Sequence, residues 1–185
     1  MADVKILALV GSLRAASINR QLAELAAETA PEGVAVTVFQ GLGDLPFYNE
    51  DIDNENVPAS VVALREAAGE ADAALVVTPE YNGSIPGVLK NAIDWASRPY
   101  GDSAWNGKPA AIMGASVGAI GTARAQYHLR QMMVFLNMFP INQPEVMIGN
   151  ASERFDADGN LTHEATKDFI RQLLQSLVDW TTRIK

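Results

Sequence analysis

The segment from Gly11 to Arg20 combines residue types that bind a phosphate group. Its candidate binding residues are Ser12, Arg14, Ser17, Ile18 and Asn19. The hydroxyl and amide side chains are short hydrogen-bonding groups, and the forked guanidinium of Arg14 adds charge-assisted hydrogen bonds. A helix that begins near Ser17 or Ile18 directs unpaired N–H groups and a partial charge of about +0.5 at the same place. We therefore predict an anion site where the first strand passes into this helix.

Two common nucleotide motifs are absent from this segment. Neither the P-loop pattern G-x-x-x-x-G-K-[ST] nor the dinucleotide pattern G-x-G-x-x-G occurs there. A loop of hydroxyl groups with one arginine suits a terminal monophosphate better than a pyrophosphate. The alternative interpretation is an ordinary strand-to-helix turn, in which Ser17 caps the helix and Arg14 is solvated.

A second unusual loop, from Thr78 to Gly87, follows the third apolar run. Its Asn82-Gly83 pair is a strong turn signal because both residues tolerate positive φ, and prolines stiffen the approach. Such a loop presents rigid backbone N–H and C=O groups beside the ring of Tyr81, an arrangement that suits a flat heterocycle with polar edges. The alternative is a stiff turn with Tyr81 on the surface, since turn chemistry needs no ligand.

A third loop, from Gly114 to Gly121, is rich in glycine, which leaves room for a ligand or another backbone to approach. Taken alone, such a segment is more simply interpreted as a flexible turn. The three loops, however, all follow strands that are predicted to be parallel, so one edge of the sheet gathers them. Ligands of open α/β sheets bind beyond the carboxyl ends of the strands.

The elements that would position these loops alternate between strands and helices along the chain. Apolar runs that predict strands cover residues 4–10, 34–39, 73–78, 109–114 and 145–148. Helical patterns cover residues 19–30, 58–69, 86–97, 122–136 and 164–184. The alternation predicts an α/β fold of one domain, residues 1–185, with a parallel sheet between two layers of helices. The long loop 41–57 is predicted to be functional because of its length.

The composition excludes several classes of function. A net charge of −8 and a pI near 4.7 argue against general binding to nucleic acid or anionic membranes. The absence of cysteine removes disulfides, thiolate metal sites and cysteine nucleophiles, and it fits a cytoplasmic location. No export signal or membrane-spanning segment is expected. His128 and His163 lie far apart without carboxylates at metal spacing, so no metal site is predicted.

Three stretches of the chain carry a family resemblance. They are G-S-L-R-A-A-S-I-N from Gly11, P-E-Y-N-G-S-I-P-G-V-L-K-N-A-I-D-W from Pro79 and G-A-S-V-G-A-I-G-T-A-R-A-Q-Y-H-L-R from Gly114. They resemble the NADPH-dependent FMN reductase family of flavodoxin-like proteins, which includes bacterial quinone and chromate reductases. The resemblance implies a flavodoxin-like three-layer sandwich whose five-stranded parallel sheet has the order 2-1-3-4-5.

The resemblance also implies how FMN is held. Its phosphate would be bound by Ser12, Arg14, Ser17 and Asn19, together with Ile18 at the helix start. Its isoalloxazine ring would be lined by Pro79, Glu80, Tyr81, Asn82, Gly83 and Ser84, and flanked on the other side by Ser116 and Gly118.

An NAD(P)H-dependent oxidoreductase is the activity that this resemblance implies. NADPH or NADH would reduce the bound FMN, and a quinone, flavin, azo compound or chromate would then take the electrons at the same open site, in ping-pong order. We assign no catalytic side chain because the cofactor carries the chemistry, and we expect Glu80 to fix its loop rather than act as an acid. Two alternatives are a flavodoxin-type electron carrier without NAD(P)H turnover and a flavin-free regulatory or scaffold domain.

The segment from Met132 to Pro140 is more apolar than one helix face requires. Core packing is the simpler explanation, and a subunit interface, where Met and aromatic residues are enriched, is the other. Members of the resembled family form dimers and tetramers, so we expect a homodimer or homotetramer. Arg124 and Tyr127, about one helical turn apart, are placed to reach a neighbouring subunit or the nicotinamide.

Overall fold

Six parallel strands form one sheet in the computed structural model, which describes residues 4–54 and 56–185. They are β1 (Val4–Val10), β2 (Val34–Val38), β3 (Ala73–Val77), β4 (Pro109–Ala115), β5 (Phe139–Pro140) and β6 (Val146–Ile148). The order is β2-β1-β3-β4-β5, and β6 also pairs with β4. The strand order 2-1-3-4-5, which the family resemblance implies, is confirmed.

Helices cover both faces of this sheet. They are α1 (Ile18–Glu28), α2 (Ala59–Glu70), α3 (Gly87–Ala96), α4 (Ala123–Phe135) and α5 (Glu164–Ile184). Buried residues of α1 and α5 share one core with one face of the sheet, and buried residues of α2, α3 and α4 share a second core with the other face. Strand β1 serves both cores, because Ile6 packs in the first and Leu7 in the second, as alternating strand side chains must. The three-layer sandwich is confirmed.

The fifth strand position differs from the sequence prediction. Residues 145–148 were predicted as one final strand, and Val146–Ile148 does pair in parallel with the end of β4. A separate strand of two residues, β5, pairs with the start of β4. The residues between them include Pro144, which has no N–H to donate to a ladder. This edge of the sheet is therefore one interrupted strand position.

The long loop after β2 is fastened to α3 by hydrogen bonds. The carbonyl of Pro46 accepts from Asn91 Nδ2 at 2.9 Å and from Trp95 Nε1 at 2.7 Å. The N–H of Tyr48 donates to Asn91 Oδ1 at 2.8 Å, and its ring meets the Trp95 ring edge-on with centroids 4.9 Å apart. These contacts fix the part of the loop around Pro46 and Tyr48 against α3, and a functional role for residues 41–57 stays a prediction.

The described residues contain neither a membrane-spanning helix nor a cluster of metal-binding side chains. Among the helices within residues 4–54 and 56–185, none combines the length and the apolar character needed to cross a bilayer. The same residues contain no group of three or more His, Cys, Asp or Glu side chains that could hold a metal ion.

Candidate functional site

A cleft of about 200 Å³ lies where β1, β3 and β4 end. It is lined by Ser12, Arg14, Ser17, Ile18, Asn19, Pro79, Glu80, Tyr81, Ala115, Ser116 and Val117. The first five belong to the loop after β1 and the start of α1, the next three to the loop after β3, and the last three to the end of β4 and the loop after it. The three atypical loops therefore do meet at one edge of the sheet.

The loop after β1 brings polar groups and a positive charge to the start of α1. The Ser17 side chain caps this helix, since its Oγ accepts from the N–H of Arg20 at 3.2 Å. A capping hydroxyl still has its own hydrogen to donate. The N–H groups of Ile18 and Asn19, in the first turn, have no acceptor within the helix. The side chain of Arg14 is exposed beside them.

The loop after β3 is a tight hairpin. Tyr81 and Ser84 exchange two backbone hydrogen bonds, at 2.9 and 3.0 Å. Between them, Asn82 has φ of +52° and Gly83 has φ of +74°. Two successive positive φ angles are characteristic of a type I′ turn, for which Asn-Gly is a preferred sequence. The turn predicted from Asn82-Gly83 is therefore present.

Glu80 anchors this hairpin to α4. Its carboxylate accepts from the N–H groups of Arg124 (3.0 Å) and Ala125 (3.2 Å) and forms an ion pair with the Arg124 guanidinium. Its side chain is only 4% exposed. Burial alone would raise the pKa of Glu80, but the hydrogen bonds from Arg124 and Ala125 and the guanidinium charge lower that pKa below its ordinary value. Glu80 is thus ionised at neutral pH, and its carboxylate is engaged by Arg124 and Ala125, as expected for a residue that fixes its loop.

A second contact joins the hairpin to the same helix one turn further on. Ser84 Oγ and His128 Nδ1 lie 2.9 Å apart. Arg124 and His128 are four residues apart on α4 and share a face. The Arg124 guanidinium lies 3.7 Å from the position that a Cβ on Gly83 would take. Helix α4 therefore holds the hairpin at both ends, through Glu80 and through Ser84.

The loop after β4 is held by the segment that follows β6. The N–H of Ser116 donates to the carbonyl of Ile148 at 2.9 Å, and the N–H of Asn150 donates to the carbonyl of Gly118 at 3.2 Å. Ser116 Oγ accepts from the N–H of Gly118 at 3.2 Å, which curls the loop back on itself. Ser116 lines the cleft, whereas Gly118 shapes the loop behind it.

Comparison with known proteins identifies the family of this chain. Residues 4–153 match the family model described as NADPH-dependent FMN reductase. The chain belongs to the NADPH-dependent FMN reductase family. It is 48% identical to the NAD(P)H-dependent FMN reductase of Pseudomonas aeruginosa, over 99% of this chain and 98% of that protein.

Two further proteins resemble this FMN reductase family member, one in sequence and one in structure. The 2-hydroxy-1,4-benzoquinone reductase of a Burkholderia species is 47% identical, over 96% of each chain. The structure of FerB, a flavoenzyme NAD(P)H:(acceptor) oxidoreductase from Paracoccus denitrificans, superposes with a TM-score of 0.88 at 39% identity, covering 97% of this chain and 98% of that one.

The donor set of the cleft fits the phosphate of FMN. Among the described residues that line it, the charged side chains are Arg14 and Glu80, and Glu80 is neutralised by Arg124. The cleft is consequently positive in a chain whose net charge is −8. A helix N-terminus, a guanidinium and hydroxyl groups together form an anion site. Pro79, Tyr81 and Val117 add apolar surface of the kind that a planar ring packs against.

Most of the binding residues predicted from the sequence line this cleft, and some do not. Those that line it are Ser12, Arg14, Ser17, Ile18, Asn19, Pro79, Glu80, Tyr81 and Ser116. Four of the predicted residues do not line the cleft but form the turns that shape it: Asn82, Gly83, Ser84 and Gly118. Direct contact of each of these side chains with FMN stays a prediction.

Sequence reasoning missed two residues of the lining and the long-range partners of Asn19 and Glu80. Ala115 and Val117 line the cleft, but small and apolar residues beside a glycine-rich loop carry no polar signal. The carboxamide of Asn19 bonds the backbone of Ala115, 96 residues away, and nothing local in the sequence indicates that pairing.

Proposed function

We propose that this chain is an FMN-dependent NAD(P)H oxidoreductase that reduces quinones or similar small acceptors, and that residues 1–185 form a single FMN-binding domain. The observation that carries the proposal is the positive cleft at the start of α1, where Arg14 is exposed beside the capped helix N-terminus. The family match and the names of the relatives support the same activity.

Different residues of the cleft would bind the phosphate and the ring of the cofactor. Arg14, Ser12, Ser17 and the first-turn N–H groups of α1 would bind the phosphate. The rigid hairpin 79–84 and the curled loop at Ser116 and Gly118 would place the ring. When bound, FMN supplies the redox chemistry, accepting a hydride from a nicotinamide and passing two electrons to an acceptor.

The lining offers no free carboxylate or imidazole within the described residues, because the carboxylate of Glu80 is buried and bonded to α4. We therefore assign proton exchange to solvent and name no catalytic side chain. NAD(P)H and the acceptor would use the open cleft in turn, and this order predicts parallel lines in double-reciprocal plots at several fixed acceptor concentrations.

The function is tested by the absorption spectrum of the purified protein loaded with FMN, before and after mixing with NADPH or NADH under nitrogen. Rapid bleaching of the flavin bands, and their return when a quinone is added, supports the oxidoreductase. Bound flavin that NAD(P)H does not bleach would indicate the electron carrier instead. A protein that takes up no FMN would favour a flavin-free domain.

We also propose a homodimer or homotetramer. At the carboxyl end of α4, Val134 is 81% exposed and Phe135 is 82% exposed, and Tyr127 and Phe139 are exposed as well. A contiguous patch of exposed apolar side chains marks an interaction surface, and we propose that these four form one. Size-exclusion chromatography with light scattering tests the proposal, since a single species near the chain mass of 19.9 kDa at all concentrations would contradict it.

The absence of cysteine supports a cytoplasmic location, because disulfides have no part in this fold. Cell fractionation with a tagged chain tests that proposal.

A further inference from the structure

The carboxamide of Asn19 makes a two-way bond with the backbone of Ala115. Asn19 Nδ2 donates to the carbonyl of Ala115 at 3.0 Å, and Asn19 Oδ1 accepts from the N–H of Ala115 at 2.9 Å. Asn19 is 3% exposed and Ala115 is 1% exposed. A side-chain amide that both donates to and accepts from one residue imitates the pairing of a neighbouring strand.

The sheet leaves the backbone N–H and C=O of Ala115 free to bond with Asn19. The N–H of Thr78 donates to the carbonyl of Met113 at 3.0 Å, near the point where β3 departs from β4. The next residue, Pro79, has no N–H to donate. On the opposite side of β4, the N–H of Ser116 is already bonded to Ile148. The backbone groups of Ala115 therefore find their partner in α1 rather than in β3.

This pairing joins two halves of the cleft. Asn19 lies in the first turn of α1, two residues after the capping Ser17, and Ala115 is the last residue of β4 before the loop at Ser116. Both residues line the cleft. The bond fixes how far the helix N-terminus stands from the loop after β4, and so fixes the distance between the phosphate end and the ring end of the site.

We infer that Asn19 is a positioning residue whose side chain sets the width of the FMN cleft by bonding Ala115, rather than a ligand of the phosphate. The inference rests on the proposed function. It assigns the Asn19 carboxamide to the protein's own backbone and leaves the anion to Arg14, the hydroxyl groups and the helix N–H groups.

The test uses the purified apo-protein with Asn19→Ala and Asn19→Asp, titrated with FMN and with riboflavin at about pH 8 and at a lower pH. In Asn19→Asp, a protonated carboxyl has the same shape as the amide and restores both bonds, whereas the carboxylate cannot donate to Ala115. Burial and the facing carbonyl of Ala115 raise the pKa of such a carboxyl, whereas the start of α1 and Arg14 lower it, so the lower pH is set where titration of Asn19→Asp shows this carboxyl protonated. The phosphate of FMN also changes its charge between the two pH values. The native protein and Asn19→Ala are therefore measured at both pH values to correct for this change.

We expect Asn19→Ala to weaken the binding of FMN and of riboflavin alike by about tenfold or more, because two buried backbone groups lose their partner. Asn19→Asp should bind both flavins more tightly than Asn19→Ala at the lower pH and no better at the higher pH. The apo-protein's thermal midpoint should follow the same order without any ligand. Asn142→Asp, an exposed substitution after β5, is the control for added charge and should show no such pH dependence.

Three outcomes would overturn the inference while leaving the proposed function standing. They are native-like flavin affinity in Asn19→Ala, an Asn19→Asp variant whose carboxyl is protonated yet which binds no better than Asn19→Ala, and a loss confined to FMN with riboflavin unaffected, which would make Asn19 a phosphate ligand. Failure of the native protein to bind FMN would instead overturn the proposed function, and this inference with it.

Discussion

The carboxylate of Glu80 accepts hydrogen bonds from both the backbone N–H of Arg124, at 3.0 Å, and its side-chain Nε, at 2.6 Å. The two residues are 44 positions apart in the chain. Glu80 thereby caps α4 from outside the helix, while the residue at the N-cap position, Thr122, makes no capping bond with its own side chain. One interaction fixes the hairpin after β3 and the start of α4 together.

Replacement of Glu80 by Gln should destabilise the protein by about 1–3 kcal/mol, because a helix start loses a charged cap and a guanidinium loses its partner. Urea unfolding at pH 7 measures this change. Glu66→Gln, on the exposed face of α2, removes the same charge and should leave the free energy of unfolding nearly unchanged. Equal effects of the two substitutions would contradict the anchoring role of Glu80.

The pH dependence of stability follows from the lowered pKa of Glu80. A carboxyl whose pKa is lower in the folded than in the unfolded chain stabilises the fold above its unfolded pKa, near 4.5. That contribution is lost as pH falls through the folded pKa. Unfolding free energies measured downward from pH 5 should therefore decline less steeply in Glu80→Gln than in the native protein. Parallel pH profiles would show that Glu80 does not carry this dependence.

Asn82→Val should disturb the hairpin and the cleft beside it. Asn82 has φ of +52°, and a β-branched residue in this conformation costs about 1–2 kcal/mol or more. Asn82→Gly keeps the positive φ without strain and is the matched control. We expect weaker FMN binding and lower stability in the valine variant only, measured by flavin titration and urea unfolding. Unaltered binding and turnover in Asn82→Val would count against a role for this turn.

Gly149→Ala should displace the loop after β4. A Cβ at Gly149 would lie 2.2 Å from the carbonyl oxygen of Ala119, which is backbone and cannot rotate away. We expect a loss of about 1–3 kcal/mol in stability, as for other overpacked sites, together with weaker FMN binding. Gly69→Ala, in α2 with no atom within 4 Å of the new Cβ, should be neutral or stabilising. Native-like FMN affinity in Gly149→Ala would show that this loop does not place the ring.

Periodicity predicted the elements and the α/β class because the strands and helices have strong local patterns, whereas the strand order was implied by the family resemblance. Strand β1 is nearly continuous in apolar residues since both of its faces are covered, and Asn82-Gly83 specifies its own turn. The interrupted fifth strand position was only partly predictable, because β5 has two residues and its pairing depends on β4 rather than on its own sequence.

The site was predictable as far as its chemistry is local. The cap at Ser17 and the position of Arg14 beside it follow from residue type and spacing. The N-cap interpretation is compatible with an anion site, because the capping oxygen accepts a hydrogen bond and the hydroxyl still has its hydrogen to donate. The partner of Asn19 was not predictable, since its pairing with Ala115 arises only when α1 packs across β3 and reaches the end of β4. The contact between Glu80 and the start of α4 was not predictable either, because it joins residues 44 positions apart in the chain.

The central claim, that Arg14 and the start of α1 bind the phosphate of FMN, is tested most directly by titrating the apo-protein with FMN and with riboflavin, which lacks the phosphate. The native protein should bind FMN about tenfold or more tightly than riboflavin. Arg14→Ala should weaken FMN binding by about 1.5–3 kcal/mol and leave riboflavin binding unchanged, while Arg183→Ala, in the last turn of α5, changes neither. Equal affinities of the native protein for the two flavins, or unchanged FMN affinity in Arg14→Ala, would contradict the account.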